Sequence, residues 1–332
     1  MLPGRRWGFK AVVVLLTLAL LLGAFVTGCQ RLGGSASQET AKEGRITVVA
    51  TIPPLADYAK MVGGKRVRVL QLLPLGAEPH DWEPSPREIE SLYKARLVVY
   101  NGAGLEPWME RLLPSLRSRG VRALEASEGL DLLTYAEEER EGWTVFIAAP
   151  EKLQRERIVD PHVWLDPVLA QDIVSRLARE LIAIDPAGET EYLRNAKSLK
   201  KRLAELDSAY ADAVRSFKRK EIVVSHAAFG YLARRYGLRQ VPILGLAPEQ
   251  EPDAAAFSRA VDYCRKRGVK CVFTEPAVNP RYMEALAEEL GVPVLPLTPI
   301  GSLTPQQKAS DSDYFDLMLQ NLDSLKKGLG GQ

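Results

Sequence analysis

Histidine is almost missing from this chain. Three occur in 332 residues, at His80, His162 and His226. Cysteine is equally scarce, at Cys29, Cys264 and Cys271. A surplus of charge is missing too, since 44 Lys and Arg against 42 Asp and Glu leave a net +2. A chain this close to neutral is a poor partner for nucleic acid, which selects a basic face. No HExxH pair is present, which removes the helix-borne zinc site of metalloproteases. Nor is any apolar run long enough to cross a bilayer comfortably. What is present is a globular composition, 46% hydrophobic and 26% charged, with enough length for two domains.

The N-terminus is set apart from the rest. Arg5, Arg6 and Lys10 precede the charge-free run Ala11–Val26, which ends in Val-Thr-Gly-Cys. A basic flank, a short apolar core and a small residue before cysteine read as an export signal closing in a bacterial lipobox. On this reading residues 1–28 are removed, and Cys29 becomes the lipidated first residue of an extracytoplasmic, membrane-anchored protein. Residues 1–28 carry three basic and no acidic residues, so the mature charge becomes −1. Residues 29–44 are small, polar and aperiodic, and read as a flexible tether with a reach of about 20 Å.

From Arg45 the pattern alternates. "RITVVATIPP", "VRVLQLLP" and "RLVVYNG" read as buried strands, separated by helical segments such as "SPREIESLYKA" with Ser85 as N-cap and Glu88 at the capping-box position. The same grammar returns in "EIVVSH", "QVPILGLAP", "VKCVFTEP" and "VPVLPLTP". Strand–helix–strand repetition implies parallel sheets covered on both faces. Between the two runs, Glu189–Phe217 has no glycine or proline. Its apolar residues Tyr192, Ala196, Leu199, Leu203, Leu206, Tyr210, Ala213 and Phe217 recur at alternating steps of four and three, which is one helical stripe. The expected architecture is α/β: two similar parallel-sheet domains, 45–188 and 218–332, joined by one long rigid helix, 189–217.

The histidines gain meaning from this frame. Ligands in open parallel sheets bind outside the carboxyl ends of the strands. His80 follows "VRVLQLLP", His226 follows "EIVVS", and His162 follows the apolar segment "WTVFIAAP" and a charged loop. All three are therefore expected at the edge where a cleft between two domains opens. Neutral imidazole suits a borderline metal such as zinc. Separations of 82 and 64 residues do not fit a local zinc finger and do fit a site assembled from distant loops. Prolines beside His80 and His162 restrict the backbone and lower the entropy lost on fixing a ligand.

Taken as a set, "LPLGAEPHDWEPSPREIESLYKARLVVYNGAGLE", "DPHVWLDP", "VSHAAFGYLARRYGL" and "FTEPAVNP" resemble the metal-binding lipoproteins of bacterial ABC importers, the ZnuA/TroA type. The likeness runs from about Arg45 to Leu329. It implies two α/β domains on a long helix, a metal in the interdomain cleft, and His80, His162 and His226 as its ligands. Manganese-binding members of the type carry a glutamate where His226 stands, so Zn²⁺ is favoured over Mn²⁺. Many members also offer a carboxylate from the loop that here reads "LTPIGSL", where Gly301 stands in its place. The histidine-rich loop of many zinc members is replaced here by a charged segment without histidine.

Two carboxylates remain near these motifs. Glu78 is a candidate fourth ligand, and Glu275 a candidate outer partner that orients a histidine. Asp160 and Asp166 read as loop-capping residues. Cys264 and Cys271 read either as a disulfide, which an exported location permits, or as two buried thiols. The leading function is a binding protein, not an enzyme, which captures Zn²⁺ as a monomer and hands it to a membrane permease. The alternatives are a Mn²⁺-binding member of the same type, a zinc hydrolase with an open coordination position, and a surface adhesin with a structural metal.

Overall fold

The computed structural model describes residues 44–147, 158–245 and 253–330. The export signal, Cys29 and all of the tether but Gly44 lie outside the described residues.

The first sheet grows from β-branched runs. Strands β1 (Ile46–Ala50), β2 (Val67–Gln71), β3 (Leu97–Tyr100) and β4 (Arg122–Glu125) pair in the order β2-β1-β3-β4. All three ladders are parallel, with Ile46 opposite Val67, Val48 opposite Leu97 and Leu97 opposite Arg122. Helix α1 (Pro53–Gly63) opens on two prolines, whose missing N–H groups cost nothing in a first turn. Helix α2 (Pro86–Tyr93) begins at the expected capping box of Ser85 and Glu88. Helices α3 (Met109–Ser118) and α4 (Tyr135–Glu141) complete this half, and α5 (Pro167–Ile184) leads to the long helix.

The second half repeats the winding with shorter strands. β5 (Glu221–Val224) pairs in parallel with β6 (Arg239–Pro242), and β7 (Val272–Thr274) with β8 (Val294–Pro296). β5 lies beside β7 without a continuous ladder. The spatial order β6, β5, β7, β8 therefore matches that of the first sheet. Helices α7 (Gly230–Tyr236), α8 (Ala254–Arg267), α9 (Arg281–Leu290), α10 (Pro305–Ala309) and α11 (Tyr314–Leu329) surround it.

The long helix α6 runs over Glu189–Arg215, 27 residues, or about 40 Å at 1.5 Å per residue. It ends two residues before the expected Phe217. Ser216 N–H donates to the Ala213 carbonyl and Phe217 N–H to that of Val214, the tighter pattern of a closing turn. The buried stripe is Tyr192, Ala196, Leu199, Leu203, Leu206, Tyr210 and Val214. Val214, four residues past Tyr210, takes the place expected for Ala213, and Phe217 is buried from the turn beyond.

One hydrophobic core runs through both halves, from Val48 through the α6 stripe to Leu329. Two segments cross the expected boundary. Helix α11 returns to the first half, where Tyr314 N–H donates to Asp57 Oδ2 at 3.0 Å. In the other direction, Trp143–Val145 docks on the edge of β6: Gln240 N–H donates to the Trp143 carbonyl at 2.8 Å, and Val145 N–H to the Gln240 carbonyl at 2.9 Å. Only Thr144 forms a bridge there. Among the described residues no strand therefore precedes His162 directly, because the described part of "WTVFIAAP" serves the other half's sheet edge. Cys264 and Cys271 are free and buried.

Candidate metal centre

Each histidine is placed by its local chain. His80 sits in the loop after β2, which is held by Gly76 N–H donating to the Leu303 carbonyl at 2.9 Å. His226 follows β5 after one residue, and Ala227 N–H donates to the Gly245 carbonyl at 2.8 Å. His162 lies between the bridge Thr134–Val159 and a single 3₁₀ turn, Val163–Leu165. Asp166 then caps α5, accepting from Val168 N–H at 2.8 Å, the loop-capping role the sequence suggests.

The three imidazoles converge. One ligand nitrogen from each lies within 4.8 Å of the other two, and His80 Nε2 stands 3.3 Å from His162 Nε2. Ring centroids are 5.2, 5.8 and 5.4 Å apart. His162 and His226 are buried, and His80 is half-buried. Burial, followed by the neighbouring histidines, holds His80 and His162 well below the ordinary imidazole range. These two imidazoles are thus biased to the neutral form that carries a ligand lone pair.

Carboxylates hold the far nitrogens. Glu275 Oε1 lies 2.7 Å from His226 Nδ1, where the sequence places an orienting acceptor. Asp160 Oδ1 lies 2.7 Å from His162 Nδ1 and also accepts the His162 backbone N–H at 2.9 Å. With Nδ1–H donated in both cases, Nε2 is the nitrogen left for an ion. Capping alone therefore does not describe Asp160. Its signal was in the sequence: "EPH" and "DPH" share an acid two residues before histidine, and Glu78 Oε1 faces the His80 backbone N–H at 3.4 Å.

Further support comes from residues that sequence reasoning passed over. Buried Asn101, after β3, donates Nδ2–H to the Pro161 carbonyl at 2.9 Å. Glu106 fixes that loop, accepting from Thr51 Oγ1 at 2.5 Å, Asn101 N–H at 2.9 Å and Gly102 N–H at 3.0 Å. Burial pushes its carboxyl up to about 7. Tyr231, on α7, donates its hydroxyl to the Asp160 carbonyl at 2.9 Å and accepts from Leu133 N–H at 3.0 Å.

A cavity of about 20 Å³ adjoins the cluster, lined in part by Glu78, His162, His226, Glu275 and Gly301. That is room for about one water-sized occupant. Glu78 Oε1 is 3.9 Å from His80 Nε2, so of the carboxylates lining the cavity Glu78 borders the histidine on the rim. Gly301 occupies the wall where the resemblance places a carboxylate in other members. Beside it, buried Ile300 adopts φ 61°, an uncommon conformation for a β-branched residue.

Fold and site define an α/β protein in which three histidines converge beside a small cavity as a candidate metal centre. The family described as "Zinc-uptake complex component A periplasmic" matches residues 48–328, and the chain belongs to it. It is 34% identical over 299 residues to the high-affinity zinc uptake system protein ZnuA of Bacillus subtilis, covering 90% of this chain and 92% of that one. It is 33% identical over 312 residues to the zinc-binding lipoprotein AdcA of Streptococcus pneumoniae, covering 94% of this chain but only 60% of that longer protein. Among solved structures, the Zn(II)-bound ZnuA-like domain of Streptococcus pneumoniae AdcA superimposes with a TM-score of 0.74 at 32% identity, over 87% of this chain and all of that domain. The laminin-binding protein Lmb of Streptococcus agalactiae, described as having adhesin and metal-transporting activity, gives 0.73 at 31% identity, over 85% and 99% of the two chains.

Proposed function

We propose that this protein is the extracytoplasmic binding component of an ABC importer, which captures Zn²⁺ and delivers it to a membrane permease. The observation that carries this reading is the cluster itself: three imidazoles within 4.8 Å, two of them locked by carboxylates. Zn²⁺ takes three such nitrogens readily, with a fourth position left for water or Glu78. Mn²⁺ prefers oxygen donors. Zinc is cargo here, which the family's description as a zinc-uptake component supports. Cys29 supplies the lipid anchor, and the halves flanking α6 act as the two domains.

Isothermal titration of the chain with Zn²⁺ and Mn²⁺ tests the reading. One tight Zn²⁺ site per chain, lost in His80→Ala, His162→Ala and His226→Ala, is the expected result. Equal or tighter Mn²⁺ binding overturns the choice of metal. The likeness to Lmb favours adhesion as a second activity, measured as binding of the zinc-loaded protein to immobilised laminin.

A further inference from the structure

Behind Asp160 lies a second buried acid that the zinc site as described does not use. Glu138, on α4, and Asp160 are both fully buried. Their carboxyl groups lie close enough for each to shift the other's proton affinity, and neither Glu138 Oε1 nor Asp160 Oδ2 accepts from an N–H or O–H donor among the described residues, which leaves a carboxyl–carboxyl hydrogen bond as the arrangement that satisfies both. Two carboxyl groups can share such a bond only when one of them carries the proton. The surrounding donors say which. Asp160 Oδ1 already accepts two N–H groups from His162, which supports its charge. Glu138 Oε2 accepts from Thr144 Oγ1 at 2.5 Å and Gln240 Nε2 at 2.9 Å, leaving Oε1 to donate.

The network does not stop at Glu138. Gln240, on β6, accepts Phe229 N–H at 2.9 Å through Oε1 and donates a second hydrogen bond to Thr144 Oγ1 at 2.8 Å. Phe229 lies three residues after His226. One chain of buried hydrogen bonds thus runs from the His162 ring through Asp160, Glu138 and Gln240 to the segment that follows His226. Space is reserved for it: a Cβ on Gly230 would overlap the Glu138 carboxyl. A buried network holds its members firmly only when each is satisfied.

We propose that Glu138 is a positioning residue of the zinc site, which donates to Asp160 and so fixes the His162 ring in register with His226 across the two halves. This rests on the zinc reading above and adds a residue in contact with neither the ion nor its ligands. Helical spacing alone reads Glu138 as one of five charged residues in "AEEERE", and burial distinguishes it.

Glu138→Gln keeps the geometry of a protonated carboxyl: its amide donates to Asp160, and its oxygen accepts from Thr144 and Gln240. Glu138→Ala removes the brace. By the usual cost of losing an outer partner, Glu138→Ala should weaken Zn²⁺ about 10–100-fold, and Glu138→Gln should restore it to within a factor of about three. A second readout needs no metal. The Nδ1 proton of His162, followed by ¹⁵N NMR of the metal-free protein, should stay protected in wild type and Glu138→Gln and exchange rapidly in Glu138→Ala. If wild type binds no zinc, the zinc reading fails while this readout still decides the role of Glu138. Should Glu138→Ala not fold, Gly230→Ala displaces the carboxyl without deleting it and should give the same loss. Folded Glu138→Ala or Gly230→Ala with wild-type affinity and a protected His162 proton overturns the proposal. So does Glu138→Gln that behaves like the alanine variant.

Discussion

His80 Nε2 and His162 Nε2 face each other at 3.3 Å. Two protonated imidazoles cannot occupy that spacing, because each would aim an N–H at the other. Such a pair is stable with an ion between its members, or with one shared proton and no more. His162 is fixed from behind by Asp160, whereas His80 is anchored in a loop on the rim.

The pH dependence follows from this arrangement. Burial, followed by the other histidines, lowers the proton affinity of His80 and His162. In the unfolded chain both would take up protons below about pH 6.5. The folded protein resists them, so their contribution to stability is complete above that pH and is lost as the pH falls. Ligating imidazoles must also be neutral. Apparent Zn²⁺ affinity should therefore stay level through the ordinary histidine range and decline only at more acid pH. NMR titration of the metal-free protein, beside affinity measured from pH 7.5 downward, checks both. Imidazoles that titrate at the ordinary value would contradict the geometry.

The carboxylates behind the rings should matter less than the rings themselves. Glu275→Gln keeps an acceptor 2.7 Å from His226 Nδ1 but removes the charge. It should weaken zinc about tenfold, and Glu275→Ala up to about a hundredfold. His226→Ala should cost more than either, since three nitrogens leave no redundancy. Competition against a chromogenic chelator resolves the series. An effect of Glu275→Ala as large as that of His226→Ala would place the carboxylate on the ion.

Much of this was legible in the sequence, for a physical reason. Local rules act over a few residues, so β1, the Ser85–Glu88 capping box and the α6 stripe could be read directly. The histidine trio was legible because the residue type is rare and each copy lies beside a proline or a strand end. What escaped depends on distant chain crossings. Nothing local reveals that Trp143–Val145 docks on β6, that Asn101 holds the Pro161 carbonyl, or that Glu138 is buried against Asp160. The Asp160 role was half-legible in the shared acid-Pro-His pattern. The C-terminal end of α6 slipped because apolar periodicity continues through Phe217 while the backbone has already left the helix.

Zinc should produce little change in overall shape. Trp164, two residues past His162, donates Nε1–H to the Pro299 carbonyl at 2.6 Å, and its own carbonyl accepts the Tyr314 hydroxyl at 2.7 Å. These buried contacts join the halves at the site, and α6 joins them along its length. A shared core resists the hinge closure of proteins whose halves meet only through short linkers. Small-angle scattering should give one radius of gyration with and without Zn²⁺. Trp164→Phe, which removes the donor to Pro299, should loosen the junction and lower the melting temperature. A clear contraction of wild type on adding zinc would contradict this.

The choice of metal can be probed at Gly301. Its backbone is outside the left-handed region, so a side chain brings no torsional penalty there. A Cβ would sit 3.2 Å from Pro79 Cγ and 3.7 Å from Trp164 Cζ2, a close but adjustable fit beside the residue preceding His80. Gly301 also lines the same cavity as His162, His226 and Glu78, so an aspartate at this position would bring a carboxylate to the ion cavity. An added oxygen donor favours Mn²⁺ relative to Zn²⁺. Gly301→Asp should therefore raise the ratio of Mn²⁺ to Zn²⁺ affinity, and Gly301→Ala, with the same backbone demand and no donor, should not. Competitive titration of both metals against the three proteins, with a thermal melt to establish folding, makes the comparison. A folded Gly301→Asp with an unchanged metal ratio would mean that this wall of the cavity does not reach the ion.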